Sequence, residues 1–177
     1  MWKSAIDGIG RVGVAVLVAA VWVAVPSVAA AGGKLVLQRQ IPIAKEANVR
    51  KAVLDECQVP DKLSSFIAQF AGSSFEVERV DKLPGAGSGK ILSVEITEMF
   101  ERGNAFSGRF KGMIVKGELR EGGVVVASFR ARRSTGGGFM GQYKGNCAFF
   151  GRCAKTLGQD IGTWLQNPTM DAGLGEW

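Results

Sequence analysis

The chain has 177 residues and a formal net charge of +6, from 22 Lys and Arg against 16 Asp and Glu. It has no histidine, which excludes histidine-based triads and histidine metal sites, and its three cysteines hold no C-x-x-C pair, which argues against zinc. The mild basic excess is spread along the chain and favours anionic surfaces such as lipid headgroups or polysaccharide.

The first residues carry Lys3 and Arg11. Val12–Val25 is then an unbroken apolar run, followed by Pro26 and the small residues Ser27, Val28, Ala29, Ala30 and Ala31. A basic start, a short apolar core and an A-x-A-like end predict a secretory signal peptide over residues 1–30. The run is short of the roughly 20 apolar residues a span needs, although an uncleaved anchor is the alternative. No cysteine near the cleavage region offers a lipid-attachment site. The mature chain is therefore expected to be periplasmic or secreted, without a stable transmembrane anchor and without access to nucleic acid. One domain is expected over residues 31–167, and a loose, glycine-rich tail over 168–177.

Residues Lys34–Ile43 read as a strand, with Leu35, Leu37, Ile41 and Ile43 on one parity and Arg39 breaking it. Glu46–Glu56 and Pro60–Ala71 read as helices. Leu63, Phe66, Ile67 and Phe70 make the stripe of the second, and Pro60 suits its first turn. Phe75–Lys82 is a short strand and Leu83–Gly89 a turn. Lys90–Phe100 alternates, with Leu92, Val94 and Ile96 inward; the same alternation puts Glu95 and Glu98 on opposite faces. Arg102–Gly108 reads as a loop. Phe110–Arg120 and Val124–Arg133 form a hairpin around Glu121-Gly122-Gly123. In its second strand Val125, Ala127, Phe129 and Ala131 share one face, and Arg130 and Arg132 the other.

The last helix is the most strongly patterned. Phe150, Cys153, Ala154, Leu157, Ile161, Trp164 and Leu165 recur at helical steps, Asn146 suits an N-cap, and Asn167-Pro168 is a stop. Lys155, Gln159, Asp160 and Gln166 fall on the wet side. The preceding loop, Gly136-Gly137-Gly138-Phe139-Met140-Gly141, matches G-x-G-x-x-G. A dinucleotide site also needs a following parallel strand with an acidic residue about 20 positions on, and here a helix follows. The loop is therefore read as a flexible connection, and no cofactor is expected.

Hairpin-length links among the later strands imply an α+β two-layer sandwich. Its sheet has about five mostly antiparallel strands, with the helices packed on one face. Export makes one disulfide the expectation, with one thiol left over. Cys147 and Cys153 lie six positions apart on the last helix, about 9 Å at 1.5 Å rise per residue, which is too far to bridge. Cys57 then takes one of them: Cys147 at the helix start is favoured and Cys153 is the alternative. A local Cys147–Cys153 bridge stays open if the helix begins later.

The blocks ECQVPDKL, GELREGGVVVASFRARRSTGGGFMGQYKGNCAFFGRC and KTLGQDIGTWLQNP resemble a family of small exported proteobacterial proteins of unknown function. The strand order also resembles the α/β domain of envelope accessory proteins. These include the curli-secretion lipoprotein, the lipoprotein activators of penicillin-binding proteins and the N-terminal domain of the Tol-system propeller protein. The chain departs from those lipoproteins in lacking the lipidated cysteine. The resemblance implies an accessory role in the cell envelope.

No catalytic constellation stands out. Glu95 and Glu98 do not pair, and Ser134 and Thr135 have no base nearby in sequence. Arg130, Arg132 and Arg133 form the densest basic cluster, readable as a solvated strand edge or as an anionic contact. Phe139, Met140 and Tyr143 in the glycine-rich loop are readable as a lid on the core or as the apolar part of a partner site. Together they form the candidate surface for an envelope protein or an anionic envelope component. The reading is of a non-catalytic binding module; a small-molecule carrier or an enzyme with an unrecognised site is the alternative.

Overall fold

The computed structural model describes residues 32–47, 49, 51–85, 89–104, 108–136 and 145–176. The segment read as a signal peptide, residues 1–30, lies outside them, as do Phe139, Met140 and Tyr143 of the glycine-rich loop. The described elements are β1 (Lys34–Gln38), α1 (Lys51–Cys57), α2 (Val59–Ala71), β2 (Glu76–Val80), β3 (Lys90–Asn104), β4 (Gly108–Glu121), β5 (Val124–Gly136), α3 (Asn146–Trp164) and β6 (Ala172–Gly175). The six strands form one sheet in the order β2-β1-β3-β4-β5-β6.

The α+β class holds, with the helices on one face. The centre is the antiparallel meander β3-β4-β5. Its second link is the two-residue turn Gly122-Gly123, whose φ of 58° and 85° only glycine adopts cheaply. The flanks are parallel, which hairpin lengths alone did not reveal. After β1 the chain runs through α1 and α2 before returning as β2, a crossover that brings β2 back parallel to β1. β1 is also parallel to β3. The sixth strand comes from the stretch read as a loose tail: β6 pairs parallel with β5, Phe129 opposite Ala172 through Arg132 opposite Gly175. Two glycines in four residues give it little strand propensity, so the pairing depends on tertiary anchors. Ser128 Oγ donates to Asp171 Oδ1 and accepts the Asp171 N–H, and the Glu176 N–H donates to Arg132 O.

The inner face is apolar in alternation. Leu35, Leu37, Leu92, Val94, Ile96, Met113, Val115, Leu119, Ala127, Phe129 and Ala131 meet Leu63, Ile67, Phe150, Leu157 and Ile161 from the helices. Burying each such Leu or Ile stabilises the fold by about 1.5–3 kcal/mol. α2 and α3 cross closely because α3 has glycines at the contact. A Cβ at Gly158 would stand 2.6 Å from Phe66 Cβ, and one at Gly162 2.7 Å from Phe70 Cβ.

Three local expectations are corrected. First, β3 carries a bulge between Ile96 and Glu98, where Thr97 Oγ1 donates to Ile114 O. The extra residue restarts the alternation, so Met99 points inward and Glu98 joins Glu95 on the outer face. Glu95 is bound to Lys116, so the two carboxylates still form no acid/base pair. Second, Gly145 is the N-cap of α3, not Asn146. The Asn146 side-chain Oδ1 instead accepts from the ammonium of Lys111, which is only 5% exposed and also pairs with Glu101 at 2.9 Å. A buried cation needs its lone-pair partners more than the helix end does. Third, Asp160 is not simply wet: it binds Arg133, as described below.

Candidate partner surface on the outer sheet face

Strand parity divides the arginine cluster. Arg130 and Arg132 lie on the outer face, away from the helices. Arg133 turns inward, and its Nε and Nη2 donate to the two Asp160 oxygens at 2.7 and 2.8 Å. The Asp160 hydrogen bond holds the Arg133 guanidinium above its usual pKa against some desolvation. Arg133 therefore ties α3 to β5 and is not part of a free basic edge.

Charges elsewhere on the outer face are mostly matched. Lys34 pairs with Glu78 at 2.7 Å, Lys116 with Glu95 at 2.7 Å and Arg120 with Glu118 at 2.7 Å. The far end of the meander differs. There the Phe100 ring lies between two guanidinium groups, Arg102 at 5.1 Å and Arg132 at 5.4 Å from its centroid. Among the described residues neither arginine has an ion-pair partner. Beside them Phe110 is 48% exposed, one of four exposed large apolar side chains among the described residues, the others being Val124, Val126 and Met170.

Glycines opposite the two rings make the patch flat. Phe100 faces Gly112 in the β3–β4 register, and a Cβ at Gly112 would come within 2.2 Å of the Phe100 ring. Phe110 faces Gly136 across β4–β5, where a Cβ would meet the ring at 3.1 Å. Each ring covers backbone that a glycine would leave bare, a known device for supporting glycine in sheets. Phe100, Arg102 and Phe110 escaped the sequence reading. Plain alternation from Leu92, Val94 and Ile96 turns Phe100 and Arg102 inward; the bulge at Thr97 puts them on the outer face, and the facing glycines need the register.

The remaining surface is poorer in chemistry. An open cleft of about 650 Å³ beside the patch is lined by Ser93, Glu95, Lys116, Ser128, Arg130 and Asp171. Its charged and hydroxyl groups largely bind one another, as in the Lys116–Glu95 and Ser128–Asp171 pairs. Among the described residues no group of three or more metal-ligating side chains converges. No described helix is long and apolar enough to cross a membrane.

The cysteines resolve as favoured. Cys57 and Cys147 are bridged, with Cα atoms 4.9 Å apart, joining the end of α1 to the start of α3. Cys153 is a free, buried thiol whose Sγ donates weakly to Lys111 O at 3.6 Å. Burial pushes its pKa from 9.0 up to about 11.

No family model and no curated protein matches the chain. Among solved structures it is similar to a neuraminyllactose-binding hemagglutinin homolog from Helicobacter pylori. That pair shares 12% identity, over 78% of this chain and 86% of the other, at a TM-score of 0.48. It is also similar to a variant PelC dodecamer from Paraburkholderia phytofirmans, with 18% identity, coverage of 80% and 92%, and a TM-score of 0.49. A third is lipoprotein GNA1162 from Neisseria meningitidis, with 12% identity, coverage of 74% and 99%, and a TM-score of 0.44. At this distance the likeness is one of chain path only.

Proposed function

We propose that the mature chain is a non-catalytic envelope module, periplasmic or secreted, that docks an anionic envelope component on its outer sheet face. The observation that carries this reading is the pair Arg102 and Arg132 flanking Phe100 beside exposed Phe110. Both guanidinium groups sit within cation–π range of the ring, which leaves their N–H groups able to grip carboxylate or phosphate oxygens. Phe110 adds apolar contact area. The leader-like start and the disulfide support an oxidising compartment.

Binding is favoured over turnover because the hydroxyl and carboxylate groups around the open cleft are tied to one another rather than aimed at a common point. The runner-up, a small-molecule carrier, would use that cleft. The test is capture of the mature protein on envelope fractions, wild type against Arg102→Glu with Arg132→Glu. The double variant should retain its fold and lose at least about tenfold in capture, equivalent to about 1.4 kcal/mol, with the loss largest at low salt. Equal capture by two folded proteins would transfer the function elsewhere.

A further inference from the structure

A second feature lies on the helix side of β5, opposite the face that carries the Phe100 patch, and is independent of that reading. A cavity of about 230 Å³ opens between β5, α3 and the C-terminal segment, lined among others by Arg133, Arg152, Lys155, Ser134, Thr156 and Glu176. Arg133 is saturated on one edge by Asp160, and its Nη1 makes a longer ion pair with Glu176 Oε1 at 3.5 Å. Ser134 Oγ donates to Glu176 Oε2 at 2.9 Å. The cavity is thus lined by three cationic side chains and one carboxylate, Glu176, with the Arg152 guanidinium also lying 5.3 Å from the Phe149 ring centroid.

The two carboxylates are held differently. Asp160 has only 18% of its side chain exposed and takes two short bonds from Arg133. Glu176 is 54% exposed and is held by one hydroxyl and one long ion pair. Yet its position is closely set by the backbone. Gly175 has φ 87°, and a Cβ there would lie 2.2 Å from Arg132 O, so only glycine lets the chain pass and bring Glu176 to the cavity. The Cys153 thiol at this cavity is raised mainly by burial; Arg152 opposes the shift and Glu176 adds to it, so both charges act on the same spot.

We propose that this cavity is a binding site for a phosphate-type oxyanion, and that the Glu176 carboxylate is its internal, exchangeable occupant. A phosphate entering it would take over the Ser134 hydroxyl and the Arg133 Nη1, and gain Arg152 and Lys155. Glu176 then swings into water, which its exposure already permits. The group could arrive as free phosphate or on a lipid headgroup, and the experiment separates the two.

The mature protein, its Glu176→Gln form, and Arg152→Gln with Lys155→Gln are titrated with inorganic phosphate by calorimetry. Each is also sedimented with phosphatidic acid vesicles and with phosphatidylcholine vesicles. Removing the competing charge in Glu176→Gln should tighten phosphate binding by about tenfold, and the double variant should weaken it by about as much. The tightening caused by Glu176→Gln should persist when Arg102 and Arg132 are also changed to Glu, which separates this site from the outer face. Saturable binding of phosphate in solution assigns a free ligand; binding only to phosphatidic acid vesicles assigns a headgroup. Absence of both in Glu176→Gln, or binding that the Arg152 and Lys155 changes leave intact, overturns the proposal.

Discussion

Removing the Cys57–Cys147 bridge should be the most costly single covalent change in this protein. The cross-link spans a sequence separation of 90 residues, from the end of α1 to the start of α3. Closing a loop of that size removes about 4.6 kcal/mol of unfolded-chain entropy at 25 °C in the chain-entropy treatment. For a domain of this size that corresponds to a fall in Tm of about 15 °C. Cys57 is 1% exposed, so truncating it also disturbs packing, whereas Cys147 is only partly buried. Cys147→Ala is therefore the cleaner probe, and Cys57→Ala should cost somewhat more. The double variant should cost little more than Cys57→Ala, because both changes break one bond. Cys153 should not rescue either single variant, since its buried thiol carries very little thiolate near neutral pH. Chemical denaturation under non-reducing conditions measures all three. A loss below about 1 kcal/mol in Cys147→Ala, or strict additivity in the double variant, would refute the reasoning.

Gly158→Ala should destabilise by about 1–3 kcal/mol although alanine favours helix by about 1 kcal/mol, because the new methyl meets Phe66 backbone at 2.8 Å; thermal melting that improves would show that α2 and α3 can part freely. The Cys153 thiol should resist alkylation in the native protein and react on unfolding, as read by mass spectrometry. Its folded pKa is about 11 against 9.0, so the unfolded chain gives up the proton first. Stability is then unaffected below about pH 9 and falls as pH rises from there towards 11, by up to about 2.7 kcal/mol for two pKa units. Cys153→Ala should remove that part of the alkaline loss, and an unchanged alkaline profile would count against it.

Much of the fold can be read from periodicity because one face of the sheet is buried and the other is not. Leu92, Val94 and Ile96 alternate cleanly, and the three-four spacing of Phe150, Leu157 and Ile161 marks α3. Helix rise disfavoured a Cys147–Cys153 bridge and left Cys57 to take one of the two; the structure settles on Cys147 and leaves Cys153 a buried free thiol. What escaped depends on partners distant in sequence. One extra residue at Thr97 flips the parity of everything after it in β3. β6 has weak local propensity and exists through the Ser128–Asp171 bonds and the Glu176 N–H. Of the three clustered arginines, Arg133 leaves the surface because Asp160 waits on the facing helix. The patch itself forms only when register sets Phe100 over Gly112 and brings Arg132 from β5 to the same ring.

Whether the outer face is the docking surface is tested most directly by site-specific photo-crosslinking in the envelope. A photo-reactive phenylalanine analogue replaces Phe110 in one protein and Gln159, exposed on α3, in another. The Phe110 position should give a discrete adduct with an envelope component, lost when Arg102 and Arg132 are changed to Glu. The Gln159 position should give none. An adduct from Gln159 alone, or a Phe110 adduct that survives loss of both arginines, would contradict the outer-face assignment.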